Sequence, residues 1–138
     1  MDITVNLSGT RITLTPRKIS QAVEVFLRHS GVCVAELSLV FVTGSRIRTV
    51  NRARLGHDYV TDVITFDLGS IPGRIDGEIY ICPAEARRNA RIYGEPEEHE
   101  ILRYVAHGIL HLLGQDDATL KQRAAMRMRE DELLALLM

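Results

Sequence analysis

The sequence predicts one α/β domain of about four strands and five helices, and three observations carry that expectation. Short runs rich in β-branched and aromatic residues, the first of them strictly alternating, punctuate the chain up to Cys82. Between them lie stretches with apolar residues at helical spacing, and from Pro83 onward the pattern is almost wholly helical. Finally, residues 1–138 contain no repeat, low-complexity tract or linker, and a chain of this length can close a core without disulfides or a structural metal.

The elements follow in order. Residues 3–7 (ITVNL) alternate as a first strand. Pro16 opens an amphipathic helix to about His29, with Ile19, Val23, Phe26 and Leu27 inward and Gly31 as its stop. Residues 36–42 (ELSLVFV) form a second strand. Thr43 or Ser45 caps a short helix carrying Ile47, Val50 and Ala53 and ending near Gly56. Residues 62–68 (DVITFDL) are a third strand, GSIPGRIDG turns the chain back, and residues 78–82 (EIYIC) are the fourth. AEARRNARIYG is a helix closed by Gly94. Pro96 at the first helical position, followed by Glu97, Glu98 and Glu100 at the positive end of the dipole, starts a helix running to Leu113, with Gly114 as its terminator. The last helix covers roughly residues 118–137 and packs Met126 and Met128 into the core.

Bulk properties narrow the possibilities. A formal net charge of −1 leaves no global basic field to announce a nucleic-acid partner. Fifteen of the seventeen basic residues are arginine; guanidinium forks suit phosphate, although GC-rich coding produces the same bias. Cys33 and Cys82 form no CxxC pair, and the start lacks a secretory pattern, so a reducing, cytoplasmic setting with free thiols is expected. No apolar run is long enough to span a bilayer.

The chemistry concentrates in HGILHLLGQDD, residues 107–117. Positions i and i+4 of a helix share a face, so His107 and His111 can address one ion. Gly114 ends the helix, and the following turn can return Asp116 or Asp117 towards the same point. Two helix ligands and one from a turn make an open three-point site. The alternative is an apolar helix with two half-buried histidines. Gly108 bears on the choice: a mid-helix glycine costs about 1 kcal/mol against alanine, so it has a packing or access reason. The glutamate of a zincin HExxH is missing, since Ala106 and Gly108 flank His107, which speaks against a metallopeptidase.

HGILHLLGQDD resembles the H-G-x-L-H-L-x-G-[YF]-D-H signature of the bacterial YbeY family of metal-dependent, single-strand endoribonucleases of rRNA maturation. TDVITF at residues 61–66 resembles that family's TDVLSF strand, and GEIYIC at residues 77–82 its GDIxIS strand. The resemblance runs from about Ser38 to the end. It implies a mixed four-stranded sheet, mostly parallel with one antiparallel strand. It also implies a zinc-like ion held by His107, His111 and Asp117, a metal-activated water as nucleophile, and rRNA and the small ribosomal subunit as partners.

Two departures matter. The third ligand of the usual pattern is histidine and here is Asp117, an acceptable ligand that lowers the charge left on the ion and widens the metals accepted towards iron or manganese. In the usual N-x-x-Y-R-G-K-D stretch an arginine engages RNA; NRARLGHD keeps Asn51 but has Leu55 there and His57, an expected loop residue, at the lysine. Arg46, Arg48, Arg52 and Arg54 offer a substitute phosphate stripe, or a solvated helix face. Arg87, Arg88 and Arg91 are read as the wet face of their helix, Cys82 as a buried small residue, and Asp62 as shaping either the site or a turn. Three functions follow: small-subunit rRNA 3′-end processing with ribosome quality control, a ribosome assembly factor with a mainly structural metal, and, weakest, a peptidase.

Overall fold

The computed structural model describes residues 1–69 and 71–138. In chain order the elements are β1 (Asp2–Asn6), α1 (Pro16–His29), β2 (Val34–Phe41), α2 (Gly44–Leu55), β3 (Val63–Asp67), β4 (Arg74–Ile81), α3 (Pro83–Tyr93), α4 (Glu97–Leu112) and α5 (Leu120–Ala135). The sheet runs β1-β2-β4-β3; β1, β2 and β4 are mutually parallel and β3 is antiparallel to β4. This is the predicted mixed α/β sheet with five helices.

Strand periodicity sorts the core into two layers. Ala35, Leu37, Leu39 and Phe41 of β2 and Ile75, Ile79 and Ile81 of β4 share the face covered by α1, α4 and α5. The opposite parity, with Val40, Ile64, Phe66 and Tyr80, meets Ile47 and Val50 of α2 and the buried Cys82. Helix α4 lies so close to the sheet that a Cβ on Gly108 would stand 2.8 Å from Ile79 Cδ1. One turn on, the relation inverts: a Cβ on Gly77 of β4 would stand 2.8 Å from Leu112 Cδ2. The mid-helix glycine therefore has a packing reason, and it sets the height of His107 and His111 above the sheet.

Several expectations shift. Pro96 is the extended residue before α4, not its first helical residue (φ −62°, ψ 144°), because the helix takes up its dihedrals only at Glu97. Helix α5 starts at Leu120 behind a capping box of Thr119 and Gln122. Strand β4 begins at Arg74, well before the expected start, since its charged Arg74 and Asp76 and its Gly77 look like turn composition. Those charges sit on the pleat away from the core, where Arg74 bridges Asp76 at 2.9 Å and Glu36 at 3.5 Å. Met128 is 66% exposed while Met126 is buried, the two lying on different sides of α5, and Ala53 is exposed rather than part of the α2 core. Ser70, within the expected GSIPGRIDG turn, lies outside the described residues. Among the described residues no helix is long and apolar enough to cross a membrane.

Candidate metal centre

Helix α4 presents Arg103, His107 and His111 at i, i+4 and i+8 along one face. The imidazole Nε2 atoms of His107 and His111 are 3.0 Å apart. After Leu113 the helix ends in a Schellman turn: Gly114 N donates to His111 O at 2.9 Å and Gln115 N to Leu110 O at 3.0 Å. Gly114 supplies the left-handed φ of +93° this turn demands. The reversal brings Asp117 Oδ2 to 3.3 Å from both Nε2 atoms, whereas Asp116 stays exposed outside the cluster.

The donor set fits a divalent ion. With metal–ligand distances of about 2.0–2.1 Å, donors at the corners of a tetrahedron stand about 3.3–3.4 Å apart, close to the separations found here. His107, His111 and Asp117 are the cluster among the described residues that could bind a metal.

Behind the triad lies a layer that the sequence did not announce. Glu130 of α5, buried, has Oε2 at 2.7 Å from His107 Nδ1 and accepts from Arg103 Nη1 through Oε1 at 3.0 Å. The imidazole donates Nδ1–H to this carboxylate, which leaves the Nε2 lone pair facing His111 and Asp117. Arg103 is buried as well; it donates to Asp131 at 2.8 Å and stands 3.8 Å from the buried Glu100. Burial opposes charge on His107, but the hydrogen bond and charge of Glu130, joined by Asp117, outweigh it and hold the imidazole above its ordinary pKa when no metal competes. A signal for Glu130 did exist: it occupies the apolar stripe of Met126, Leu133 and Leu134 at helical spacing, where an unpartnered carboxylate would be costly.

An open cleft of about 400 Å³ adjoins His111, walled by β3 residues on one side and by Leu55, His57 and Tyr59 on the other. Leu55, at the position of the expected arginine, is 46% exposed on this wall. The arginines of α2 are differently placed. Arg48 and Arg52 both turn to Asp58, at 2.8 and 3.8 Å, and the Arg48 hydrogen bond holds the Asp58 carboxyl below its ordinary pKa. Arg54 lies 4.1 Å over the Phe66 ring and 3.3 Å from Glu78, and Arg46 is exposed. Asp62 accepts from Val63 N at 2.8 Å, shaping the entry to β3, and also lines a second cavity beside His107. Arg88 and Arg91 are exposed as expected, while Arg87 is tied to Glu97 at 3.1 Å and to the Arg11 carbonyl.

The family description endoribonuclease YbeY matches residues 5–138. The chain belongs to the YbeY family. Endoribonuclease YbeY of Chlorobaculum tepidum is 39% identical over 125 residues, covering 91% of this chain and 90% of that protein. Endoribonuclease YbeY of Elusimicrobium minutum is 42% identical over 113 residues, covering 78% and 76%. A Thermotoga maritima protein solved in solution superposes with a TM-score of 0.65 at 28% identity, over 96% of this chain and 86% of that one. Within this chain, the triad, the Glu130 layer and the cleft thus lie on a frame shared along nearly its whole length.

Proposed function

We propose that this chain is a single-strand-specific endoribonuclease of rRNA maturation, acting near the 3′ end of small-subunit rRNA and in ribosome quality control. The observation that carries the reading is the convergence of three donor atoms, one fixed in its tautomer by Glu130, at the end of an open cleft. His107, His111 and Asp117 would hold the ion, and the whole of residues 1–138 serves as one metal-dependent hydrolase domain. Zinc is the ion proposed, as the family resemblance implies, and the same donors accept iron or manganese. When bound, such an ion supplies Lewis acidity to a phosphodiester oxygen and acidifies a water nucleophile.

The chain's own residues supply the rest. Glu130 keeps Nδ1 of His107 occupied and the ring in place; Arg103 holds Glu130 in orientation through a hydrogen bond to Oε1. Asp117 brings a negative charge that partly offsets the ion and tempers its acidity. Arg46, Arg48, Arg52 and Arg54 are proposed to take phosphates of the flanking RNA, with Arg48 and Arg52 leaving Asp58 to do so. The partners are single-stranded rRNA and the small ribosomal subunit, in the cytoplasm.

Cleavage of a single-stranded RNA by the purified protein, beside His107→Ala and Asp117→Ala, tests this reading; equal activity in all three rejects it. Leu55 in place of arginine and Asp117 in place of histidine favour a second reading, a ribosome assembly factor whose metal is structural. Ribosome association and chelator-induced melting without RNA cleavage would select that one.

A further inference from the structure

The two cavities flanking the triad differ in chemistry. On the His107 side a cavity of about 250 Å³ is bordered by Arg123 and Arg127, one turn apart on α5 and both exposed. On the His111 side, the described lining of the 400 Å³ cleft includes no lysine or arginine, and Asp67 is its carboxylate. Apart from the ion that His111 would help hold, a phosphate entering that cleft would meet no cationic side chain among the described lining, and one carboxylate. A neutral, flat group would meet something else. The rings of His57 and Tyr59 stack with centroids 5.5 Å apart and planes inclined by 13°. The Tyr59 phenol is 3.2 Å from His57 Nδ1, and the tyrosine is 54% exposed.

This aromatic pair is exposed, yet its loop is held. Asn51, buried in α2, donates its side-chain N–H to the Tyr59 carbonyl at 3.1 Å. Gly56, with φ +72°, closes α2 immediately before His57. Stacked rings on a tethered loop lose little freedom on binding, which is the property of a preorganised recognition surface. The cleft volume falls within the roughly 300–1,000 Å³ of small-ligand sites, enough for one nucleotide.

We propose that His57 and Tyr59, with Leu55 beside them, form a stacking platform for one unpaired nucleobase of the RNA next to the triad. The proposal rests on the endoribonuclease reading above and gives it a subsite. Every base offers a π face, so such a platform tolerates sequence; a base inside a duplex already has that face covered, so the platform selects single strands. Leu55 then acts by contact where an arginine would have acted by charge. The flanking phosphates are left to cations outside this cleft.

The test uses the full chain, purified without chelators, and a short single-stranded RNA carrying 2-aminopurine at successive positions. Wild type is expected to quench the fluorophore at one position near the cleavage site, and Tyr59→Phe, which keeps the ring, retains the quench. Tyr59→Ala and His57→Ala lose it and raise KM roughly ten-fold, the loss of one base stack, with a smaller change in kcat. A Tyr59→Ala protein that melts like wild type but keeps the quench and the KM overturns the platform while leaving the nuclease reading intact. Wild type that neither binds nor cleaves the RNA overturns both.

Discussion

Glu130→Gln isolates the layer behind the triad. Two donors converge on this carboxylate, the Nδ1–H of His107 at 2.7 Å and Nη1 of Arg103 at 3.0 Å, each on its own oxygen. A glutamine amide has one acceptor oxygen and one NH2. If its oxygen stays on Arg103, the NH2 faces His107 Nδ1 and drives the ring to the tautomer with the proton on Nε2, where the metal would bind. If it turns to His107, a buried guanidinium donor is orphaned instead, at a cost of about 1–3 kcal/mol. Arg103 keeps Asp131 at 2.8 Å, so the fold survives. Loss of an outer partner lowers metal affinity by roughly 10–100-fold, and that is the expected fall in zinc affinity, read by competition with a chromophoric chelator. Leu133→Ala controls for general loosening: Leu133 is fully buried on the same helix, and its truncation costs about 2–5 kcal/mol in urea unfolding without lowering zinc affinity per folded molecule. Glu130→Gln binding zinc within two-fold of wild type would refute the tautomer argument.

Other outcomes follow from the same geometry. Asp117→Ala should lower zinc affinity by more than the roughly 10–100-fold of an outer partner, whereas Asp117→His, by leaving more charge on the ion, should keep affinity and raise the RNA cleavage rate. Gly108→Ala should destabilise the protein in urea by about 1–3 kcal/mol through overpacking, because the clash with Ile79 outweighs the roughly 1 kcal/mol gain in helix propensity. Metal removal should lower thermal stability by about 2.7 kcal/mol relative to protein held at a hundred-fold excess of metal over Kd, visible as a drop in Tm. In thiol labelling, exposed Cys33 should react first. Cys82 is buried and its thiol pKa is pushed up by desolvation, so thiolate is scarce at pH values where an ordinary cysteine ionises. Its labelling should appear on raising the pH further or on unfolding; equal rates for the two at pH 8 would contradict the burial.

Local signals made most of the fold readable. Alternation marked the first strand and runs of β-branched and aromatic residues the others, and Pro16, Gly56, Gly94 and Gly114 marked helix ends where the structure has them. The start of β4 was hidden because Arg74 and Asp76 pair with each other on one face of a parallel pair, a tertiary fact with the composition of a turn. The triad was legible because its members lie within one helix and one turn. Glu130 and Arg103 were not, since they meet across 27 residues of chain through the packing of α5 on α4. The α2 arginines are a third case: spacing put Arg48 and Arg52 on one face, and only the folded loop shows that Asp58 sits between them.

Strand β3, which walls the cleft, is also one of the two margins of the sheet, β1 being the other. Five residues of β3 with mostly apolar side chains have a ladder partner on one side only, the arrangement from which one copy can recruit another. Helix α4 packs against this strand, so the helix that carries His107 and His111 also anchors the strand that ends the sheet. Substitutions that lift α4 will therefore remove protein from solution as well as slow catalysis. Specific activity for such variants has meaning only when referred to the monomer fraction measured by sedimentation.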